Sequence, residues 1–251
     1  MLGFRKYILI LLIGAVGGVF AVGVLLPVLA RNNFLGTAAI LNSIWQPETV
    51  ITKVEKETIL IPQPNYFFEA VKRVEPSVVA IESFFEGRKI RSGSGVILTQ
   101  DGLIATTVSV VPVNANIFQV TNQGKIFNAK VVSRDYVKNV ALLSIDSSGL
   151  SVIKIKTGLP TLSQRLLVFS EQVEFGKDNP MIEEAIVSKA NLDNDTFDII
   201  TGYDDKLFGA ALIDGEGNLL GIMNFKNRRP DIIFSSVITE SLSIYLSVKA
   251  E

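Results

Sequence analysis

Residues 93–107 read Gly-Ser-Gly-Val-Ile-Leu-Thr-Gln-Asp-Gly-Leu-Ile-Ala-Thr-Thr. Two apolar, β-branched runs, Gly93–Leu98 and Leu103–Thr107, are separated by Gln100-Asp101-Gly102. Such runs joined by a short Gly-containing turn predict a β-hairpin. The same texture continues on both sides. Upstream lies Ser77–Ile81. Downstream come Ile117–Val120 and Ile126–Val132, divided by Asn122-Gln123-Gly124, and then Val140–Ile145. After Pro160 a second series follows: Arg165–Phe169, Ala185–Ser188, Thr196–Thr201, Ala210–Ile213, Leu219–Met223 and Ile232–Val237. Asp214-Gly215-Glu216-Gly217 joins two of these as a hairpin turn. Helical spacing is confined to the ends. Tyr66–Val74 places Phe67, Phe68, Val71 and Val74 on one face before Pro76 stops it, and Thr239–Val248 closes the chain. About a dozen short strands in two sets leave no room for crossover helices. They predict an all-β fold of two barrels, about 77–156 and 160–238, within a domain spanning 66–251.

The amino-terminal part has a different character. Tyr7–Ala30 is 24 residues without a charge. As a helix it reaches roughly 36 Å, against a hydrocarbon core of about 30 Å. This predicts a transmembrane helix over 7–30, with Pro27 near its far end. A cleaved leader is the competing reading, since Val28-Leu29-Ala30 suits a small-residue cleavage site. Arg5 and Lys6 precede the span and Arg31 alone follows closely. Residues 1–6 are therefore expected in the cytoplasm, and the rest on the periplasmic or extracellular side of the cytoplasmic membrane. Residues 31–65 read as a stalk, with Trp45 as a headgroup-level anchor and Pro62-Gln63-Pro64 as a stiff hinge.

Composition narrows the chemistry. The 251 residues carry 24 Lys+Arg against 25 Asp+Glu, and contain no His and no Cys. Near-neutral charge argues against nucleic acid as a partner, because phosphate neutralisation needs a basic excess. Without Cys there is no thiolate nucleophile and no sulfur-ligated zinc. Without His the usual neutral-pH base and the commonest metal ligand are missing. No cofactor is expected. The mean hydropathy of +0.37 agrees with a membrane segment.

Five stretches, in order, resemble a trypsin-like serine protease domain of the HtrA type: Val74–Ile81, Gly93–Gly102, Ile104–Thr107, Asn139–Asp146 and Leu212–Ile222. The resemblance covers roughly Tyr66 to Leu246. It implies the double β-barrel fold, bacterial membrane anchoring and serine endopeptidase chemistry, and no PDZ-like module is expected to follow. The departures lie at the catalytic positions. The family's catalytic His is matched by Ser109, its Asp by Asn139, and its nucleophilic Ser by Phe208, counting back from Gly221-Ile222. No Ser lies between Thr201 and Ala211. The mechanism needs a hydroxyl, a base beside it and a group that orients the base. Loss of such members costs roughly six orders of magnitude in rate. The family's oxyanion hole depends on a Gly-rich turn, replaced here by Lys206-Leu207-Phe208.

The sequence therefore predicts a degenerate triad, with no catalytic residue, on a protein or peptide binder: a scaffold, adaptor or regulator in the cell envelope. One alternative is an active protease using a non-standard arrangement, such as a dyad of Ser109 with Lys206. Another is a structural subunit of an envelope assembly. By the family resemblance, Tyr66, Phe67 and Phe68 would pack between subunits of a homo-oligomer; packing on their own barrel is the other reading. Asp214, Glu216 and Asn218 alternate like the start of a calcium loop. Leu219 and Phe225 stand where Gly and Glu are needed, however, so a hairpin turn is expected. Asp193, Asp195 and Asp198 read as a solvated turn, Asn194-Asp-Thr196 is a sequon, and Lys226, Arg228 and Arg229 read as a hairpin tip.

Overall fold

The computed structural model describes residues 2–25, 28, 65–191, 193 and 195–250. The chain divides into two units, Met1–Ile59 and Leu60–Glu251. In the first, helix α1 spans Leu2–Phe20 and widens into a π-helical turn over Ala21–Leu25. Among the described residues no helix is long and apolar enough to cross a membrane. The span expected over 7–30 lies partly outside the described residues, at positions 26, 27, 29 and 30. Its regular hydrogen bonding gives way at Ala21, in a stretch weakened by Gly17, Gly18 and Gly23, which lack a side chain to favour the helix. Pro27, Arg31, the stalk with Trp45 and Pro62-Gln63-Pro64, and Asn194 of the sequon lie outside the described residues.

The second unit is built almost wholly of antiparallel strands. The first six are β1 Val78–Phe85, β2 Arg88–Ile97, β3 Leu103–Thr107, β4 Ile117–Asn122, β5 Lys125–Asp135 and β6 Val140–Ile145. They close into a barrel in the order β1-β2-β3-β6-β5-β4. After β7 Arg165–Ser170 come β8 Val173–Glu174 and β9 Lys177–Asp178, which pair only with each other. Then follow β10 Met181–Asn191, β11 Thr196–Ile200, β12 Ala211–Ile213, β13 Leu219–Lys226 and β14 Arg229–Phe234. Six of these form a sheet ordered β11-β10-β7-β12-β13-β14. Helix α2, Asn65–Val74, precedes the barrels and α3, Ser235–Ala250, follows them.

The core explains why several strands read as unbroken apolar runs rather than alternating ones. In β7, Leu166 and Val168 enter the core of the second sheet, while Leu167 and Phe169 enter a core shared by both sets of strands. In β3, Ile104 fills the first barrel, while Leu103 and Ala105 face the shared core. A strand buried on both faces has no polar side to show. β5 has one solvated face and alternates. Phe67, Val71 and Val74 of α2, and Val237, Ile238, Leu242 and Tyr245 of α3, seal the shared core.

The elements depart from expectation in several places: β10 runs Met181–Asn191 where Ala185–Ser188 was expected, and β1 reaches Phe85 instead of Ile81. β2 begins at Arg88, because Glu86 and Gly87 adopt φ of 48° and 75° and turn the chain back on β1. The β8–β9 ribbon was not legible. Residues 235–237, expected as strand, start α3, where Ser235 Oγ donates to Lys156 O at 2.7 Å. The basic tip is a hairpin, Asn227 and Arg228 both having positive φ.

Candidate functional site

Ser109 follows β3 in a turn and is exposed. Asn139 precedes β6 at φ 58°, and its carbonyl accepts from the Val108 amide at 3.2 Å. Phe208 follows a short 3₁₀ turn, Asp205–Leu207. The fold thus brings the three positions to one region. Ser109 and Phe208 line a common cleft of about 330 Å³ with Lys89, Ile90, Arg91, Ser92, Asp205, Lys206 and Phe225. Asn139 is tied to it through the residue beside Ser109. The Phe208 ring is half-buried, packs against the cores of both barrels and meets Phe225 edge-on at 5.4 Å.

The 3₁₀ turn is closed on itself. Asp204 is its N-cap, accepting from the Lys206 amide at 2.8 Å. That amide is no longer free to meet a developing oxyanion. The Lys206 carbonyl points inward and accepts from Ser170 Oγ at 2.7 Å and Gln172 Nε2 at 2.8 Å. Ser94 Oγ lies 2.9 Å from Ser170 Oγ and accepts from the Glu171 amide at 3.0 Å. The Ser94 amide donates to Phe208 O at 2.8 Å, and Thr106 Oγ1 donates to Ser94 O at 2.6 Å. These buried bonds fasten β2 to β7 and to the turn. Gly209 has φ 76°, and a Cβ there would stand 2.0 Å from Ser94 O, so only glycine fits against β2.

The electrostatics of the cleft disfavour a Ser109–Lys206 dyad. Lys206 Nζ donates to Glu174 Oε1, and this bond, with the attraction of the carboxylate, raises the lysine pKa further. A dyad needs the opposite shift. Among the described residues no basic side chain hydrogen-bonds to Ser109, and Lys206 in the same cleft bonds to Glu174 instead. Glu171, 5% exposed, is pushed to about 7 by burial first, then by Asp178 and Glu75, with backbone N–H groups of Asn179 and Gln172 offsetting part of the rise. Its Oε1 has no hydrogen-bond partner. Residue-level reasoning overlooked Glu171 and the Ser94–Ser170–Gln172 network, because Ser94 and Ser170 are 76 positions apart and no local pattern marks them.

The other candidate residues fall into place structurally. Asp214 Oδ1 accepts from the amides of Glu216 and Asn218, and Oδ2 from Lys156 Nζ at 2.8 Å. Burial works to raise its pKa, but the bonds from Asn218 and Lys156 prevail and hold it low. Donors thus fill the positions a calcium ion would need. Among the described residues no group of acidic side chains is placed to hold a metal. Phe67 packs into the shared core, whereas Phe68 is 55% exposed with Lys72 Nζ 4.5 Å above its ring. The Tyr66 side chain lies outside the described residues.

Comparison with known proteins agrees with this architecture. A family model described as trypsin-like peptidase domain matches residues 93–222, just over half the chain. Serine protease HTRA1 of Xenopus tropicalis is 27% identical over 180 residues, which are 64% of this chain and 38% of that protein. Mitochondrial serine protease HTRA2 of Bos taurus is 33% identical over 106 residues, 40% of this chain and 21% of that protein. The chain thus spans well under half the length of these relatives. Among solved structures, the serine endoprotease from Yersinia pestis superimposes with a TM-score of 0.63 at 23% identity, over 72% of this chain and 66% of that one. With barrels, cleft and family match in accord, this chain belongs to the trypsin-like peptidase domain family.

Proposed function

We propose that this is a catalytically inactive trypsin/HtrA-like domain that works by binding protein or peptide segments, tethered to the cytoplasmic membrane by its apolar amino-terminal segment. The observation that carries it is the cleft itself. Phe208 holds the position that the family resemblance matches to the nucleophile, Ser109 lines the same cleft, whose Lys206 side chain is paired with Glu174, and the Lys206 amide is taken by Asp204. An extended segment can still hydrogen-bond along a strand edge without any nucleophile. Support for the tether comes from the uncharged Tyr7–Ala30 stretch with Arg5 and Lys6 before it, a pattern that favours the periplasmic or extracellular side for the residues that follow. Phe68, exposed on α2, is the residue available for a homo-oligomeric contact.

The test is to pass a random peptide mixture over the immobilised 251-residue chain and to identify the retained molecules by mass spectrometry. Enrichment of intact peptides is expected. Peptides recovered cleaved, with cleavage lost in Ser109→Ala or Lys206→Ala, would replace this reading with an active protease. Retention of none would favour a purely structural subunit.

A further inference from the structure

Resting on that binding reading, we infer the chemistry of the segment the cleft accepts: a carboxylate next to an apolar side chain. Three cations, Lys89, Arg91 and Lys206, line the cleft against one acid, Asp205. The cations are not equivalent. Lys89 is held by Glu82 at 2.9 Å and Lys206 by Glu174, both lysines being about half exposed. Exposed pairs of this kind contribute little, about 0–1 kcal/mol, so an incoming carboxylate can exchange with them. Arg91 is exposed and has no ion-pair partner among the described residues. Its planar guanidinium offers two parallel N–H donors that match a carboxylate edge. Asp205 faces the phenol of Tyr203, which donates to it.

The rest of the lining is apolar or weakly polar. Ile90, Phe208 and Phe225 supply the apolar lining, the two rings forming a wall packed edge to face at 5.4 Å. Such a wall takes an aliphatic or aromatic side chain by burial, and Ser92 and Ser109 add hydroxyl donors at the margin. With Lys206 held by Glu174, these donors suit a carboxylate. The same groups suit either an Asp or Glu side chain or the free carboxylate of a chain terminus.

The experiment uses the 251-residue chain in detergent and fluorescence anisotropy with labelled decapeptides of one Val/Phe-containing sequence. The central residue is Glu or Gln, and the C-terminus is free or amidated. A preference of about tenfold for Glu over Gln identifies a side-chain carboxylate, and the same preference for the free over the amidated end identifies a terminus. Either result supports the proposal. Arg91→Glu, on an exposed position, should abolish the preference and favour a Lys-containing peptide, and rising salt should weaken wild-type binding. Equal binding of all four peptides would overturn the acidic preference while leaving the binding reading intact. Binding of none would overturn the binding reading itself.

Discussion

Phe208 is half-buried, and its ring touches both cores. Truncating it to Ala removes that bridge. Phe208→Ala should cost about 2 kcal/mol, below the usual figure for a fully buried Phe because the ring is half-buried. Urea unfolding checks this. Glu171 makes a second prediction. Its folded-state pKa is about 7, against an ordinary 4.5. A raised carboxyl pKa means that the folded state holds the proton more tightly than the unfolded one. Stability is therefore full below pH 4.5 and falls as pH rises through about 7, by at most about 3 kcal/mol. Glu171→Gln should flatten this slope and melt higher than wild type at pH 8, as scanning calorimetry would record. A parallel slope in the variant would remove Glu171 as the cause.

The turn Asp204–Phe208 is the element on which the proposed inactivity depends. Asp204→Ala removes the cap on the Lys206 amide and should lower stability by about 1 kcal/mol. Installing Ser109→His, Asn139→Asp and Phe208→Ser together, with the turn unchanged, should leave casein uncut, because the amide remains bound within the turn. Turnover by this triple variant would show that the cleft geometry had never closed. Elements differed in how far they could be read beforehand. β3 and β6 were legible because the turn residues Gly102 and Asn139 stand directly before their apolar runs. The first half of β2 was not, since Arg88–Ser92 carries no alternation and its pairing with β1 is set by the turn at Glu86-Gly87. The β8–β9 ribbon escaped because it has two residue pairs and turns on Phe175 at φ 52°, a residue that seldom marks a turn.

For the whole molecule, the shared core lets the two sets of strands stay together while the cleft between them changes chemistry. Burial of Leu103, Ala105, Leu167, Phe169, Ala211 and Ile213 on one common surface does not depend on what stands at position 208. Positions 109, 139 and 208 were singled out by the family resemblance from spacing to Gly221-Ile222 and from strand order, and the fold brings Ser109 and Phe208 to one cleft. The cap by Asp204, the Glu174 clamp on Lys206 and the buried serines were not, because each joins residues that only the folded chain brings near. The account stands most directly on one measurement: reaction of the 251-residue chain with a fluorophosphonate probe, followed by mass spectrometry of every serine-containing peptide. It predicts no labelled serine above the level of the heat-denatured chain. Stoichiometric, fold-dependent labelling of a single serine would contradict it.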